Sequence, residues 1–345
     1  MIHKILFIGP QWLGSDARAL CYALRKLNHS VHVMDPDTYL PQNHCPLDRV
    51  VNRVARIYYR QVFNRSILEN DMLFDPDVVL VAKGPDVFPH TLIELKKRNR
   101  LLVNFYPDVS MFTHGRLIPR SMPLYDCVFT TKSYGIEDLK KHFNFDRASY
   151  IPYGYDPDLH YPRVLSETDR IRYSADVSFI GTWSPKKEAI LDYLIQNARN
   201  IKAKVWGAQW NKARSKEVRK IWGGGHLLGD SYAIAINASK INLAILSEAR
   251  AGASSGDKIT SRTFNIPACG GFMLHERTDE LLNYFDEGTE IACFSSDIEI
   301  VEKTMLYLSE EHLREQTRLN GLKKCFENHS FSDRARQMME SLEAL

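Results

Sequence analysis

The sequence predicts a two-domain α/β protein built on parallel sheets, and three features carry that reading. Short apolar runs bounded by turn residues alternate with helix-period segments along nearly the whole chain, the pattern of strand, crossover helix and parallel strand. A strand, glycine turn and helix start occurs twice, at "ILFIGPQWLGSD" and again at "DVSFIGTWSPKKEAILDYL". The length of 345 residues suits about two domains of ~150 residues each.

In the first series the expected strands are "KILFIG", "SVHVMD", "DVVLVAKG", "LLVNFYPD", "DCVFTT" and "ASYIPYG". Between the first two lies "DARALCYALRKLN", whose apolar residues recur every three and four positions and so line one helix face. The second series runs through "ADVSFIGT", "KAKVWG", "KINLAIL", "GGFMLHE" and "TEIACF". The intervening "YDPDLHYPRVLSETDRIRYS" is polar, carries proline and lacks sustained periodicity, so it reads as a linker. The expected organisation is a first domain over 1–160, a linker over 161–174 and a second domain over 175–328. A final helix over 329–345, with a Ser or Asp cap in "SFSDRARQMMESLEAL", is expected to cross back to the first domain. Two doubly wound domains would turn the carboxyl ends of both sheets toward one central cleft.

Composition excludes several classes. The net charge is only +3 and is spread along the chain, which gives no basic stripe for nucleic acid. No run approaches the ~18 apolar residues of a membrane span, and "MIHKILFIGP" passes straight into a turn with no secretory leader. The expected location is the cytoplasm, with membrane contact at most peripheral at the inner face. The six cysteines show no metal-ligand spacing and read as reduced core thiols.

The first turn, Gly9 to Ser15, superficially matches a phosphate loop. It lacks the lysine that reaches the outer phosphates, and Gln11 stands where a dinucleotide fingerprint needs its second glycine. A nicotinamide dehydrogenase is therefore disfavoured. What remains is a tight turn at a helix start, with Gly9, Gly14, Ser15 and an aromatic Trp12.

The stretch "GDKITSRTFNIPACGGFMLHERTDELLNYFDEGTEIACF" is the most informative. Its Arg262, Phe264, Asn265, Ala268, Gly270 and Gly271, followed by Thr278 to Leu281, Phe285, Gly288 and Glu290, resemble the C-terminal signature of the CgeB-like spore-maturation glycosyltransferases. That family is a branch of the GT-B superfamily. The second half resembles it closely and the first half in layout. The resemblance implies two Rossmann-like domains facing a cleft. It also implies transfer of a sugar from a UDP-, GDP- or dTDP-sugar to a hydroxyl of a glycan, glycoprotein or lipid-linked acceptor. Similarity to the wider superfamily's Arg/Lys-plus-acid group implies anomeric retention, and with cationic side chains available to the leaving group neither a metal nor any further cofactor is expected.

On the donor side the expected contacts are Gly181, Thr182 and Lys186 at the second strand-turn-helix, Leu228 and Tyr232 at the base-reading edge, and Lys258, Arg262, Asn265, Ala268 and Gly270 in the signature. Backbone amides at the helix start would add to the cations around a diphosphate. Asn265 stands where relatives carry a glutamate for the ribose hydroxyls; it accepts a hydrogen bond but brings no charge. Asp257 falls where the wider superfamily has the first of its paired acids. Gly9, Trp12, Gly14 and Ser15 would face the transferred sugar or the acceptor. For acid-base work or acceptor orientation, Asp108 after "LLVNFYPD" is favoured over His114, with Arg262 stabilising the leaving group. Three Asp-Pro-Asp tripeptides, at Asp35, Asp75 and Asp156, read as turns and not as metal ligands. One other reading stands beside the transferase, a catalytically silent GT-B-like protein that binds nucleotide or glycan, for which Asn265 argues; a sugar-nucleotide epimerase of the same shape is disfavoured, since the acidic and histidine residues it needs are not displayed.

Overall fold

The computed structural model describes residues 3–39 and 46–344. All eleven expected strands are present. The first sheet comprises β1 (Lys4–Ile8), β2 (Ser30–Met34), β3 (Val78–Ala82), β4 (Leu101–Tyr106), β5 (Cys127–Thr130) and β6 (Ala148–Tyr150), in the order β2-β1-β3-β4-β5-β6. Every pairing is parallel, with Ile5 opposite both Val31 and Val78. Helices cover both faces of such a sheet, so central strands are apolar throughout. In β3 all five residues, Val-Val-Leu-Val-Ala, are buried.

The second sheet comprises β7 (Ala175–Ile180), β8 (Ala203–Trp206), β9 (Ser239–Ala244), β10 (Met273–Glu276) and β11 (Ala292–Phe294), in the order β11-β10-β9-β7-β8 and again all parallel. Two apolar cores flank it, one around Phe264 and Phe285 and one around Trp210 and Phe272. In each sheet the chain moves out from the first strand to one side and then resumes on the other side. The reversal falls between β1 and β3 in the first sheet and between β7 and β9 in the second. Ligand sites in open α/β sheets form at the carboxyl ends of such a strand pair.

The chain divides into two compact units. One holds the chain through Pro152 together with Ala249–Ser255 and everything from Ser332 on; the other holds Tyr153–Glu248 and Gly256–Phe331. The segment Ala249–Ser255 thus leaves the second series and packs with the first. Ser110 Oγ donates to the Ala251 carbonyl at 2.6 Å, and the Ser254 amide donates to Asp138 Oδ2 at 3.1 Å.

Where the sequence reads as an irregular linker, a helix spans Glu167–Tyr173. Its start is a capping box: the Asp169 amide donates to Ser166 Oγ and the Ser166 amide to the Asp169 carboxylate, both at 3.1 Å. Two satisfied backbone donors stabilise a helix too short to show periodicity. Cys21, Cys127, Cys269, Cys293 and Cys325 are buried free thiols, and Cys45 lies outside the described residues. No helix among the described residues is long and apolar enough to cross a membrane.

Candidate functional site

In the second unit the site begins at the carboxyl ends of β7 and β9. Gly181 follows β7, and a Cβ there would lie 3.0 Å from Arg262 Nη1 and 2.8 Å from Phe179 Cζ. The bare backbone is what leaves room for the guanidinium. Arg262 comes from the helix Ser261–Ala268, donates from Nη2 to the Ile245 carbonyl at 2.8 Å, and lies over the Phe179 ring at 5.3 Å. Its Nε is buried without an acceptor. Burial lowers the pKa of the guanidinium, opposed by the nearby Tyr232 and Asp257. Arginine still stays charged, so this is a cation with unspent donors at a topological reversal.

Other polar atoms around it are also unspent. Asn265 Oδ1, three residues along the same helix, is buried without a donor, and so is the Tyr232 hydroxyl. The Lys258 ammonium makes no hydrogen bond or ion pair among the described residues. Leu228 is exposed beside Gly229, which starts the helix Asp230–Asn237 carrying Tyr232. Asp257 is tied to Ser247: its amide donates to the Ser247 carbonyl at 2.9 Å and its carboxylate accepts from the Ser247 amide at 3.3 Å.

The turn after β7 differs from the expected amide cradle. The amide of Gly181 donates to the Trp206 carbonyl and that of Trp183 to the Ala208 carbonyl, at 2.9 and 3.0 Å. Ser184 Oγ takes the Lys187 amide at 3.4 Å, and Glu248 takes the Lys186 amide at 3.3 Å and the Ser184 hydroxyl at 3.0 Å. Although burial works against its charge, these donors hold the Glu248 carboxyl below its usual range. The helix Pro185–Asn197 is therefore capped from within, and Thr182 serves the turn by accepting from Lys187 Nζ at 3.3 Å. Lys186 itself pairs with Glu276 at the end of β10, Nζ to Oε1 at 2.5 Å, while Glu276 Oε2 accepts the Leu246 amide at 3.0 Å. His275 is pushed down to about 4 by burial and is neutral, sandwiched between the Thr263 hydroxyl and the Glu276 carbonyl.

Ala268 is fully buried in the core, which leaves it no surface for a ligand. Gly270 (φ +77°) ends the same helix on the amino side of β10, where its carbonyl accepts from Arg318 Nη1 at 3.0 Å. The structure thus brings Gly181, Lys186, Lys258 and Arg262 toward the carboxyl edge and leaves Ala268 and Gly270 away from it.

In the first unit a second polar cluster forms at the carboxyl ends of the strands. Asp108, after β4, pairs with Lys83 and with His114 Nε2, the latter at 3.0 Å. Burial opposes its ionisation, but His114 and Lys83 outweigh it and hold the carboxyl at about 2. Lys83 sits after β3 with φ +65°, a left-handed conformation unusual outside glycine. Asp16 opens the helix Asp16–Lys26 after the first turn, and burial, with Asp108 adding repulsion, raises its carboxyl to about 7 against the pull of Lys132 and Lys83. Residues 16, 83, 108 and 132 are far apart in sequence and sheet order alone assembles them, so of this cluster the sequence offers only Asp108 and the nearby His114.

The first turn carries less than expected. A Cβ on Gly9 would meet Ala82 Cβ at 2.8 Å and the Phe7 ring at 3.1 Å, so this glycine is required for packing against β3. Ser15 is buried, its hydroxyl donating to the Pro10 carbonyl at 3.3 Å. Gly14 (φ +87°) shapes the turn, and Trp12 stands half exposed. The Asp-Pro-Asp segments are turn-makers: Asp35 accepts from the Asp37 amide at 2.9 Å and Asp156 from the Asp158 amide at 3.0 Å.

Residues 186–340 match a family model described as glycosyl transferase-like. No curated protein sequence matches the chain. Among solved structures, the chain is similar to a glycosyltransferase from Rickettsia africae (11% identity, TM-score 0.67, 99% of this chain and 98% of the other). It is similar to the same extent to sucrose-phosphate synthase from Thermosynechococcus elongatus (11%, 0.65, 99% and 98%). A third is Anabaena HepE in complex with UDP and glucose (14%, 0.63, 99% and 100%). The whole chain therefore has the GT-B fold, two Rossmann-like domains, and its second half carries glycosyltransferase-like sequence.

Proposed function

We propose that the protein transfers a glycosyl group from a nucleoside-diphosphate sugar to a hydroxyl acceptor, as a CgeB-like transferase of glycans, glycoproteins or lipid-linked acceptors. The observation that carries this reading is Arg262: a buried cation with an unspent Nε, seated against Gly181 at the reversal of the second sheet, within the glycosyl transferase-like segment. A phosphate oxygen is the acceptor such a guanidinium lacks. Lys258 supplies further charge, and the unfilled Asn265 Oδ1 accepts from a ribose hydroxyl. The leaving diphosphate is stabilised by these fixed cations, with no metal step assigned. UDP is the first donor nucleotide to test, since HepE was solved with it.

In the first unit Asp108, held ionised by Lys83 and His114, orients the acceptor or its attacking hydroxyl. Retention rests on similarity to the wider superfamily's Arg/Lys-plus-acid group. A second reading, inversion, is favoured by the place of Asp16 at the opening of the helix Asp16–Lys26, where burial and the nearby Asp108 push its carboxyl up to about 7, a value that suits a general base. The anomeric configuration of the product, read by NMR, separates the two. The reading as a whole is tested by calorimetric titration of the chain with UDP, GDP and dTDP and their sugar conjugates, followed by assay of donor turnover. Binding without turnover with any acceptor class would select the catalytically silent alternative.

A further inference from the structure

On the amino side of the second sheet lies a cavity of about 770 Å³ that the proposed transfer does not use. It opens beside Ala175 at the start of β7, Ser239 at the start of β9 and Gly270 ahead of β10. The residues of the candidate donor site stand at the other ends of these strands, so the two sites share a sheet and not an edge.

Charge is what distinguishes this cavity. Arg163, Arg170, Lys202, Lys240, Arg314 and Arg318 line it against three carboxylates, Asp176, Glu311 and Glu315, an excess of three positive charges. Some of the cations are committed. Lys240 pairs with Asp176 at 2.8 Å, Arg318 with Glu315 at 2.9 Å, and Arg314 donates to the Tyr307 carbonyl at 2.6 Å. Others are not. The Arg170 guanidinium and the Lys202 ammonium have no hydrogen bond or ion pair among the described residues. Arg163 stacks over the Tyr161 ring at 3.6 Å and donates from Nη2 to Asp230 at 2.6 Å, yet its Nε is buried without an acceptor. Arg170 and Lys202 are exposed, so the donor that stability alone leaves unexplained is the buried Arg163 Nε, since an unpaired buried donor is costly.

We propose that this cavity binds a small phosphorylated metabolite. Its volume falls in the range of small-molecule sites and greatly exceeds what a single phosphate fills. The phosphate meets Arg170, Lys202 and Arg163 Nε, and the organic part occupies the remaining space along Asn237 and Ser239. Because the cavity is open and its free cations are exposed, binding weakens as ionic strength rises.

Calorimetric titration of the full chain tests this, with glucose 6-phosphate, inorganic phosphate and glucose as probes. Glucose 6-phosphate is expected to bind saturably, phosphate more weakly and glucose not at all. The double substitution Arg170→Glu/Lys202→Glu, at two exposed positions, should weaken glucose 6-phosphate roughly tenfold or more and leave nucleoside-diphosphate binding unchanged. Arg262→Ala should leave glucose 6-phosphate binding unchanged. Absence of saturable binding at millimolar concentration overturns the proposal. So does binding that survives the double reversal, or that disappears with Arg262→Ala, since the phosphate would then sit at the other edge.

Discussion

Arg262 Nη1 lies 3.0 Å from the point where a side chain at Gly181 would begin, so the position of the cation depends on the absence of that side chain. Gly181→Val would push the guanidinium aside and press on the Phe179 ring. Nucleoside-diphosphate affinity should fall about as far as in Arg262→Ala, roughly 1.5–3 kcal/mol for a charged hydrogen bond. Calorimetry on both variants checks this. Retained affinity in Gly181→Val would mean that Arg262 is free to settle elsewhere and still reach the ligand.

Glu276 neutralises Lys186 while also holding the Leu246 amide. Glu276→Gln keeps an acceptor for the amide and removes the charge. If Lys186 serves the diphosphate, affinity should rise roughly two- to fivefold, the worth of a part-exposed ion pair. Titration at low salt reads it, and unchanged or weaker binding would assign the pair to structure alone.

The raised pKa of Asp16 carries a sign for stability. The folded carboxyl keeps its proton to about pH 7, whereas its ordinary value is 3.8. Between these values the folded state holds the extra proton, so this group lowers stability as pH rises from about 4 to 7 and its cost is constant above that. Asp16→Asn should be neutral near pH 4 and stabilising above pH 7, on the order of 4 kcal/mol. Melting temperatures of both proteins across that range test it; a pH-independent difference would contradict it. If Asp16 is also the general base, the same substitution abolishes turnover while donor binding persists.

Gly252, in the segment that packs with the first unit, has φ +81°, and a Cβ there would lie 2.2 Å from Phe112 Cδ2. Phe112 is in turn stacked on Phe143 at 5.7 Å. Gly252→Val should release this segment and make Ala249–Ser255 a preferred site for limited proteolysis, with little loss elsewhere. Equal resistance to protease in both proteins would show that the ring yields instead.

Much of the fold was legible because parallel strands are apolar on both faces and end in turn residues. "DVVLVAKG" and "KINLAIL" announce β3 and β9 by themselves. The helix Glu167–Tyr173 was not read, since two turns give no periodicity, though Ser166 and Asp169 offered a capping box. Of the site, Arg262, Asn265, Lys258 and Lys186 were named through the family resemblance, and Asp108 and His114 from their place after a strand. Glu248, Glu276, Lys83 and Asp16 were missed because their partners come from other strands, and strand order is not written in any short stretch. Gly9 and Gly181 look alike in sequence, each a glycine after a strand, yet one makes room for β3 and the other for a guanidinium.

The most direct test is calorimetric titration of the purified chain with UDP, GDP and dTDP, beside the Arg262→Ala variant. The account predicts one saturable site per chain for at least one of them, weakened roughly tenfold to a hundredfold in the variant. No binding at millimolar concentration, or equal binding by both proteins, would contradict the assignment of the carboxyl edge of the second sheet to a nucleotide diphosphate.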